Sequence, residues 1–506
     1  MTASLESGLK RIPRLAWAAV YVILISGGLT VLFAGWAYDD PFITYRYADN
    51  LSRGLGLVYN PGEQVLSTTT PLFALLLAAL HPLWPDLHSL AVLTGGLSLA
   101  AGGLCLWELA SHPRLMFTRW AGLLFYPLFP LVNSTLSSET PLYLALCLGA
   151  MVSYKRRHYR LTALIAALAA LTRPDGVLVV IVLGLHYLWS RRPGRHAWRQ
   201  WLTNLPWQAL LIYLGLGLGW VGFAWAYYGS PIPVTLFAKQ QQAVVEGSLT
   251  FLPGFVTILS WYSAWVYQAE AVLSIPGLVY GLLRLPSMRW LAAWTGLYFA
   301  AYALLGVTRY FWYYAPLAPV FIMGLGLGID ALAEGLRKFG RGERAREGTT
   351  EVVTTMVPGR ISRMLPVVML ALLLVGQISR LWQMHLAADP RFEIYQASGE
   401  WLRANTPPEA SVGALEVGII GYYAQRPMVD FAGLIQPEIA EQLGISRSYG
   451  SAAAWAIERY QPDYLVVHRG RFPELEAEFL PACQQQVNFP GAEYNYNFDI
   501  SIYACP

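Results

Sequence analysis

The chain has 506 residues, of which 55% are hydrophobic and 13% charged, against roughly 25% charged in an average soluble protein. That composition excludes a soluble globule, and 19 Trp, 30 Tyr and 20 Phe suit a polytopic membrane protein with rings at its water interfaces. A formal charge of only +4, spread over short loops, argues against nucleic-acid binding.

Lys10, Arg11 and Arg14 precede an apolar run from Leu15 to about Ala37. It is long enough to cross roughly 30 Å of hydrocarbon and lacks a small-x-small cleavage site, so it reads as a signal anchor with a cytoplasmic N-terminus. Further apolar runs near 88–109, 118–133, 140–153, 160–172, 175–190, 206–228, 268–284, 290–307, 311–330 and 364–381 bring the expected crossings to about eleven. Basic residues then gather in three loops. Lys155, Arg156, Arg157 and Arg160 mark one, Arg191, Arg192, Arg195 and Arg199 another. Arg337, Lys338, Arg341, Arg344, Arg346, Arg360 and Arg363 mark a third. All three read as cytoplasmic.

The segment Pro71 to Trp84 is apolar but short, and a crossing there would move two basic loops outside; it reads as juxtamembrane or re-entrant. Phe251 to Tyr267 is read the same way. The expected organisation is a membrane domain over 1–384, with an external loop at 38–70 and a cytoplasmic linker at 332–363. Within that linker, residues 338–360 look locally disordered. Residues 385–506 form an extracytoplasmic domain, and they hold 15 of the chain's 31 acidic residues. There, Phe392 to Ala404 has helical periodicity, Val412 to Leu415 and Tyr464 to His468 read as buried strands, and Asp499 to Tyr503 alternates as an outer strand, giving a small α/β domain.

Ionised groups at membrane depth are costly and are functional candidates by default. Asp39 and Asp40 sit together where the first span ends. Asp40 before Pro41 is a good N-cap, whereas Asp39 has no such structural role and is the favoured base, with Asp40 able to orient it. Arg46, on the helix that follows, has a planar fork suited to phosphate, or it pairs with Asp49. Further candidates lie at other external loop edges. Glu139 is a helix N-terminal charge or a site residue, and Arg173 with Asp175 is a local ion pair or a site pair. Lys239 and Arg309 are possible anion holders; Tyr310, Tyr313 and Tyr314 form an aromatic belt or join them.

Cys105, Cys147, Cys483 and Cys505 lack zinc or redox spacing, although Cys483 and Cys505 could bridge on an oxidising side. The eight histidines show no HExxH pattern, and no Walker or GxGxxG nucleotide motif occurs.

The string Asp39-Asp40, Tyr45-Arg46-Tyr47-Ala48-Asp49-Asn50, Gly54-x-Gly56-Leu57-Val58-Tyr59-Asn60-Pro61-Gly62-Glu63 and Thr69-Thr70-Pro71-Leu72 resembles the GT-C glycosyltransferases, above all the terminal arabinofuranosyltransferase-like group. Ser138-Glu139-Thr140-Pro141, Thr172-Arg173-Pro174-Asp175-Gly176 and Tyr228-Gly229-Ser230-Pro231-Ile232-Pro233-Val234-Thr235 with Lys239 resemble that family's outer loops. So do Gly418-Ile419-Ile420-Gly421-Tyr422-Tyr423 and Asp430-Phe431-Ala432-Gly433-Leu434 in the tail. The resemblance implies a multi-pass enzyme of the cell membrane that moves a sugar from a polyprenyl-phosphate donor to a glycan, lipid or protein acceptor outside the cytoplasm, with inversion. An Asp39 or Asp40 carboxylate would be the base, and Arg46, Lys239, Arg309 and Tyr310 would hold the donor phosphate. Glu139, Arg173, Asp175 and Tyr313 would support the acceptor. No cofactor is expected, and a divalent metal is not favoured. The competing readings are a secondary transporter and a non-catalytic glycan-binding membrane protein.

Overall fold

The computed structural model describes residues 11–191, 203–346 and 361–506. Lys10, Arg192, Arg195, Arg199 and Arg360 of the basic loops, and residues 347–360 of the linker, lie outside the described residues; residues 338–346, expected to be locally disordered, instead continue helix Ala318–Arg346.

All eleven expected runs fold as helices: Arg11–Leu32, Leu87–Leu109, Met116–Leu128, Thr140–Lys155, Tyr159–Thr172, Val177–Ser190, Trp207–Tyr228, Trp265–Arg284, Pro286–Leu305, Ala318–Arg346 and Ile361–Leu386. Among the described residues, six helices are long and apolar enough to cross a membrane. The others are shorter or less apolar. Met116–Leu128 has 13 residues, which rise only about 20 Å. It stops because Phe129 is extended before Pro130. The carbonyls freed there are satisfied by side chains, as a low-dielectric interior demands. Asn133 donates to Pro127 O at 2.7 Å and Phe129 O at 3.1 Å, and Gln377 donates to Phe125 O at 2.8 Å. Pro71–Leu80 and Phe251–Trp261, with 10 and 11 residues, are too short to cross.

The helices pack where side chains are small. A Cβ on Gly277 would collide with the backbone of Gly324 and Gly328, so Trp265–Arg284 and Ala318–Arg346 meet backbone to backbone. Asp330 is buried and accepts the N–H groups of Phe117 and Thr118 at 3.2 and 2.9 Å, satisfying the start of Met116–Leu128 from another helix.

Beyond the bundle, Arg391–Asn405 opens an α/β domain built on a five-stranded sheet. The strands are β1 Val412–Ala414, β2 Met428–Asp430, β3 Tyr464–His468, β4 Gln484–Phe489 and β5 Ile500–Ala504, in the order β2-β1-β3-β5-β4. β1 runs parallel to β2 and β3, while β5 is antiparallel to both its neighbours. The strand expected over Asp499 to Tyr503 is therefore not an outer one. It lies between β3 and β4 with four of its five residues buried, and β4 takes the edge. A disulfide joins Cys483 to Cys505, tying the edge strand to its neighbour.

The domain and the first loop share one core. Phe42, Tyr45 and Tyr59 pack in the same apolar cluster as Tyr395, Val417 and Ile420.

Candidate functional site

Helix Asp40–Ser52 begins with Pro at its second position, which fixes φ where no N–H is needed. Asp40 does not act as the N-cap expected for it: no side chain caps this helix. Its carboxylate instead accepts from Lys239 Nζ at 2.5 Å. Lys239 belongs to the short helix Val234–Gln242. Its ammonium also lies 4.0 Å from the Tyr310 ring centroid and 5.0 Å from that of Trp312, a cation–π cage. Burial opposes its charge, but Asp40, Tyr313 and Glu139 outweigh this and hold Lys239 above the usual lysine value.

Across the same space, Arg173 binds both Glu139 and Asp175, each at 3.0 Å. It also donates to Tyr302 Oη at 2.8 Å and Thr140 Oγ1 at 3.3 Å. The Arg173-Pro174-Asp175 turn aims both ends of one local pair inward, and Glu139 arrives from the start of Thr140–Lys155.

These groups border a cavity of about 610 Å³ that brings together Asp40, Glu139, Arg173, Asp175, Lys239 and Tyr313. Thr44, Thr68 and Thr70 line it too, their hydroxyls 3.0–3.3 Å apart. A second, apolar groove of about 540 Å³ runs between Pro71–Leu80 and Trp207–Tyr228 and shares Pro71 and Trp220 with the first. Tyr302, Trp312, Thr44 and Thr68 were not among the expected site residues, and Thr70 entered only through the Thr69-Thr70-Pro71-Leu72 string. The first two sit in apolar aromatic runs and carry no local signal; Thr68-Thr69-Thr70 before Pro71 offered one.

Four expected site residues stand elsewhere. Asp39 turns away from the cavity: its two oxygens accept the N–H groups of Gly418 and Ile419 at 2.9 and 2.8 Å. Burial, then the charge of Glu416, holds its carboxyl above the usual range, and the two N–H bonds offset part of that. Arg46 is 2% exposed, donating to Tyr59 O at 2.9 Å, Arg426 O at 2.6 Å and Gly421 O. It pairs with backbone rather than with Asp49, which Arg53 takes at 3.2 Å. The Arg309 guanidinium lies 6.0 Å from the Trp261 ring. Tyr310 donates its hydroxyl to Gln242 at 2.9 Å and stacks on Trp312 at 4.3 Å, so it walls Lys239 instead of facing the cavity.

Asp39 and Arg46 thus dock the α/β domain. Asn60 adds to this by accepting the Met428 N–H and donating to its carbonyl, both at 3.0 Å, which occupies the free edge of β2. The first loop thus meets the α/β domain at the turn after β1, through Gly418 and Ile419, and along the free edge of β2. Among the described residues, no group of three or more His, Cys, Asp or Glu is placed to hold a metal ion.

The bundle, the cavity under the loop that follows its first helix and the appended α/β domain together define a fold of the GT-C glycosyltransferase type. The chain is similar over 97% of its length to 98% of ArnT from Cupriavidus metallidurans, at a TM-score of 0.58 and 13% identity. The structure of that protein bound to undecaprenyl phosphate gives 0.57 and 13% identity over 96% of this chain and 98% of that one. Arabinosyltransferase EmbB from Mycobacterium smegmatis gives 0.40 at 13% identity, over 89% of this chain and 42% of that one. A family model described as a domain of unknown function, DUF8728, matches residues 383–503. Comparison with curated protein sequences gives no match.

Proposed function

We propose that this protein is a membrane glycosyltransferase that moves a sugar from a polyprenyl-phosphate donor to an acceptor hydroxyl outside the cytoplasm, inverting the anomeric centre. The observation that carries this reading is the cavity in which a carboxylate, Asp40, faces two cations, Lys239 and Arg173, beside an apolar groove that meets it at Pro71 and Trp220. The groove would take the isoprenoid chain and the cavity the phosphate and sugar. Bound undecaprenyl phosphate in a protein of the same fold supports the donor class. The basic loop at Lys155 to Arg157 supports the orientation.

In this reading Asp40, not Asp39, takes the acceptor's proton as the acceptor oxygen bonds to the anomeric carbon. The bond from that carbon to the phosphate oxygen breaks at the same time, and its electron pair leaves with the phosphate. Attack from the face opposite the phosphate inverts the centre, through an oxocarbenium-like state similar to that of inverting glycosidases. Lys239 stabilises the charge that develops on the phosphate, so the step as drawn needs no metal. Cryo-electron microscopy of the protein with undecaprenyl phosphate tests the assignment. Phosphate density beside Lys239 with the chain along Pro71 and Trp220 is expected; phosphate bound at another place would overturn it.

A further inference from the structure

The cavity's charges are all engaged. Its two lining cations face three acids, Asp40, Glu139 and Asp175, so a phosphate entering it adds negative charge to a site that already has an excess of one. Favourable binding requires a cation to change partners. Arg173 is poorly placed to do so, because Glu139, Asp175, Thr140 and Tyr302 hold its planar fork. Lys239 is better placed. Its carboxylate partner is Asp40 alone among the described residues, its other faces rest on the Tyr310 and Trp312 rings, and a primary ammonium can redirect its N–H groups. Asp40 is the more open member of the pair, with 28% of its side chain exposed against 7% for Lys239.

We infer that Lys239 serves two partners in turn, holding Asp40 until the donor phosphate displaces it, so that the base is released only after the donor has bound. This rests on the donor and base assigned under Proposed function. While Lys239 donates to Asp40 Oδ2, that oxygen is occupied, so an acceptor reaching the cavity first finds no free Oδ2 to take its hydroxyl hydrogen. The exchange also follows the flow of charge. As Asp40 takes the proton it becomes neutral and no longer needs Lys239. As the glycosidic bond breaks, the phosphate gains a negative charge and needs it more. Binding order, donor before acceptor, is the consequence.

The test is equilibrium binding of undecaprenyl phosphate to the full chain in nanodiscs, comparing wild type with Asp40→Asn, Lys239→Gln and the double variant. Removing Asp40 removes a competitor for Lys239, so Asp40→Asn is expected to bind about five- to tenfold more tightly although it cannot catalyse transfer. Lys239→Gln binds at least about tenfold more weakly, and the double variant matches it. Asp40→Ser serves in place of Asp40→Asn if the latter fails to fold. Binding by the Asp40 variants that is equal to or weaker than wild type, with Lys239→Gln still weakened, overturns the exchange and leaves the donor assignment intact. No binding by wild type overturns both.

Discussion

Asp39 and Asp40 are adjacent in the chain and act in different places: Asp39 accepts the Gly418 and Ile419 N–H groups of the α/β domain, while Asp40 pairs with Lys239 in the cavity. Gly418 makes the first contact possible, since a Cβ there would strike Asp39. Asp39→Asn keeps the shape but presents an N–H₂ group where a second acceptor is needed. It is expected to lower stability by about 1–3 kcal/mol while the folded protein keeps most of its transfer activity. Thermal melting alongside a transfer assay separates the two effects.

Arg46 reads locally as an anion binder yet spends three of its donors on the carbonyls of Tyr59, Gly421 and Arg426. Arg46→Met leaves those carbonyls unsatisfied and should cost about 3 kcal/mol or more. Limited proteolysis should then release the domain after residue 386. The donor KM of the protein that remains folded should stay unchanged.

Arg173, itself buried, neutralises two partly buried acids at once. Arg173→Met is expected to destabilise the protein by about 3–5 kcal/mol. Replacing Glu139 and Asp175 by Gln and Asn in the same chain should restore much of that loss. Melting temperatures of the single and triple variants measure it.

His468 on β3 is buried against Tyr395, whose hydroxyl lies 3.0 Å from Nε2. Burial, then the charges of Arg471 and Arg391, pushes its pKa down to about 3 from an ordinary 6.5. The unfolded chain therefore binds a proton that the folded one refuses between those values. The stability His468 contributes is complete above about pH 6.5 and is lost as pH falls towards 3. Asp430 works in the opposite sense: burial, partly offset by the backbone N–H groups of Ala432, Leu434 and Ile435, pushes it up to about 7. The comparison with His468→Gln isolates the histidine. Wild type should lose on the order of 4 kcal/mol relative to the variant across that window, measured by denaturant unfolding at several pH values.

The helices were legible because their signal is local: an apolar run, a Pro in the first turn and a basic loop each declare themselves within a few residues. Arg173 with Asp175 was legible for the same reason. The different tasks of Asp39 and Asp40 were not, because the partners that separate them, Gly418 and Lys239, lie 379 and 199 residues away. Arg46 misled similarly, since a guanidinium suits a phosphate and a cluster of carbonyls equally well, and two of its carbonyls lie in the α/β domain. The position of β5 inside the sheet depended on β4, a Gln-rich edge strand with little hydrophobic pattern of its own.

The central claim is that Asp40 is the group that accepts the proton during sugar transfer. The most direct test is transfer from a polyprenyl-phosphate sugar by the protein reconstituted in liposomes, with wild type and Asp40→Asn compared at matched folded concentration. Loss of about 10²- to 10⁴-fold in kcat with an unchanged melting temperature is the expected result. Full activity in Asp40→Asn would contradict it.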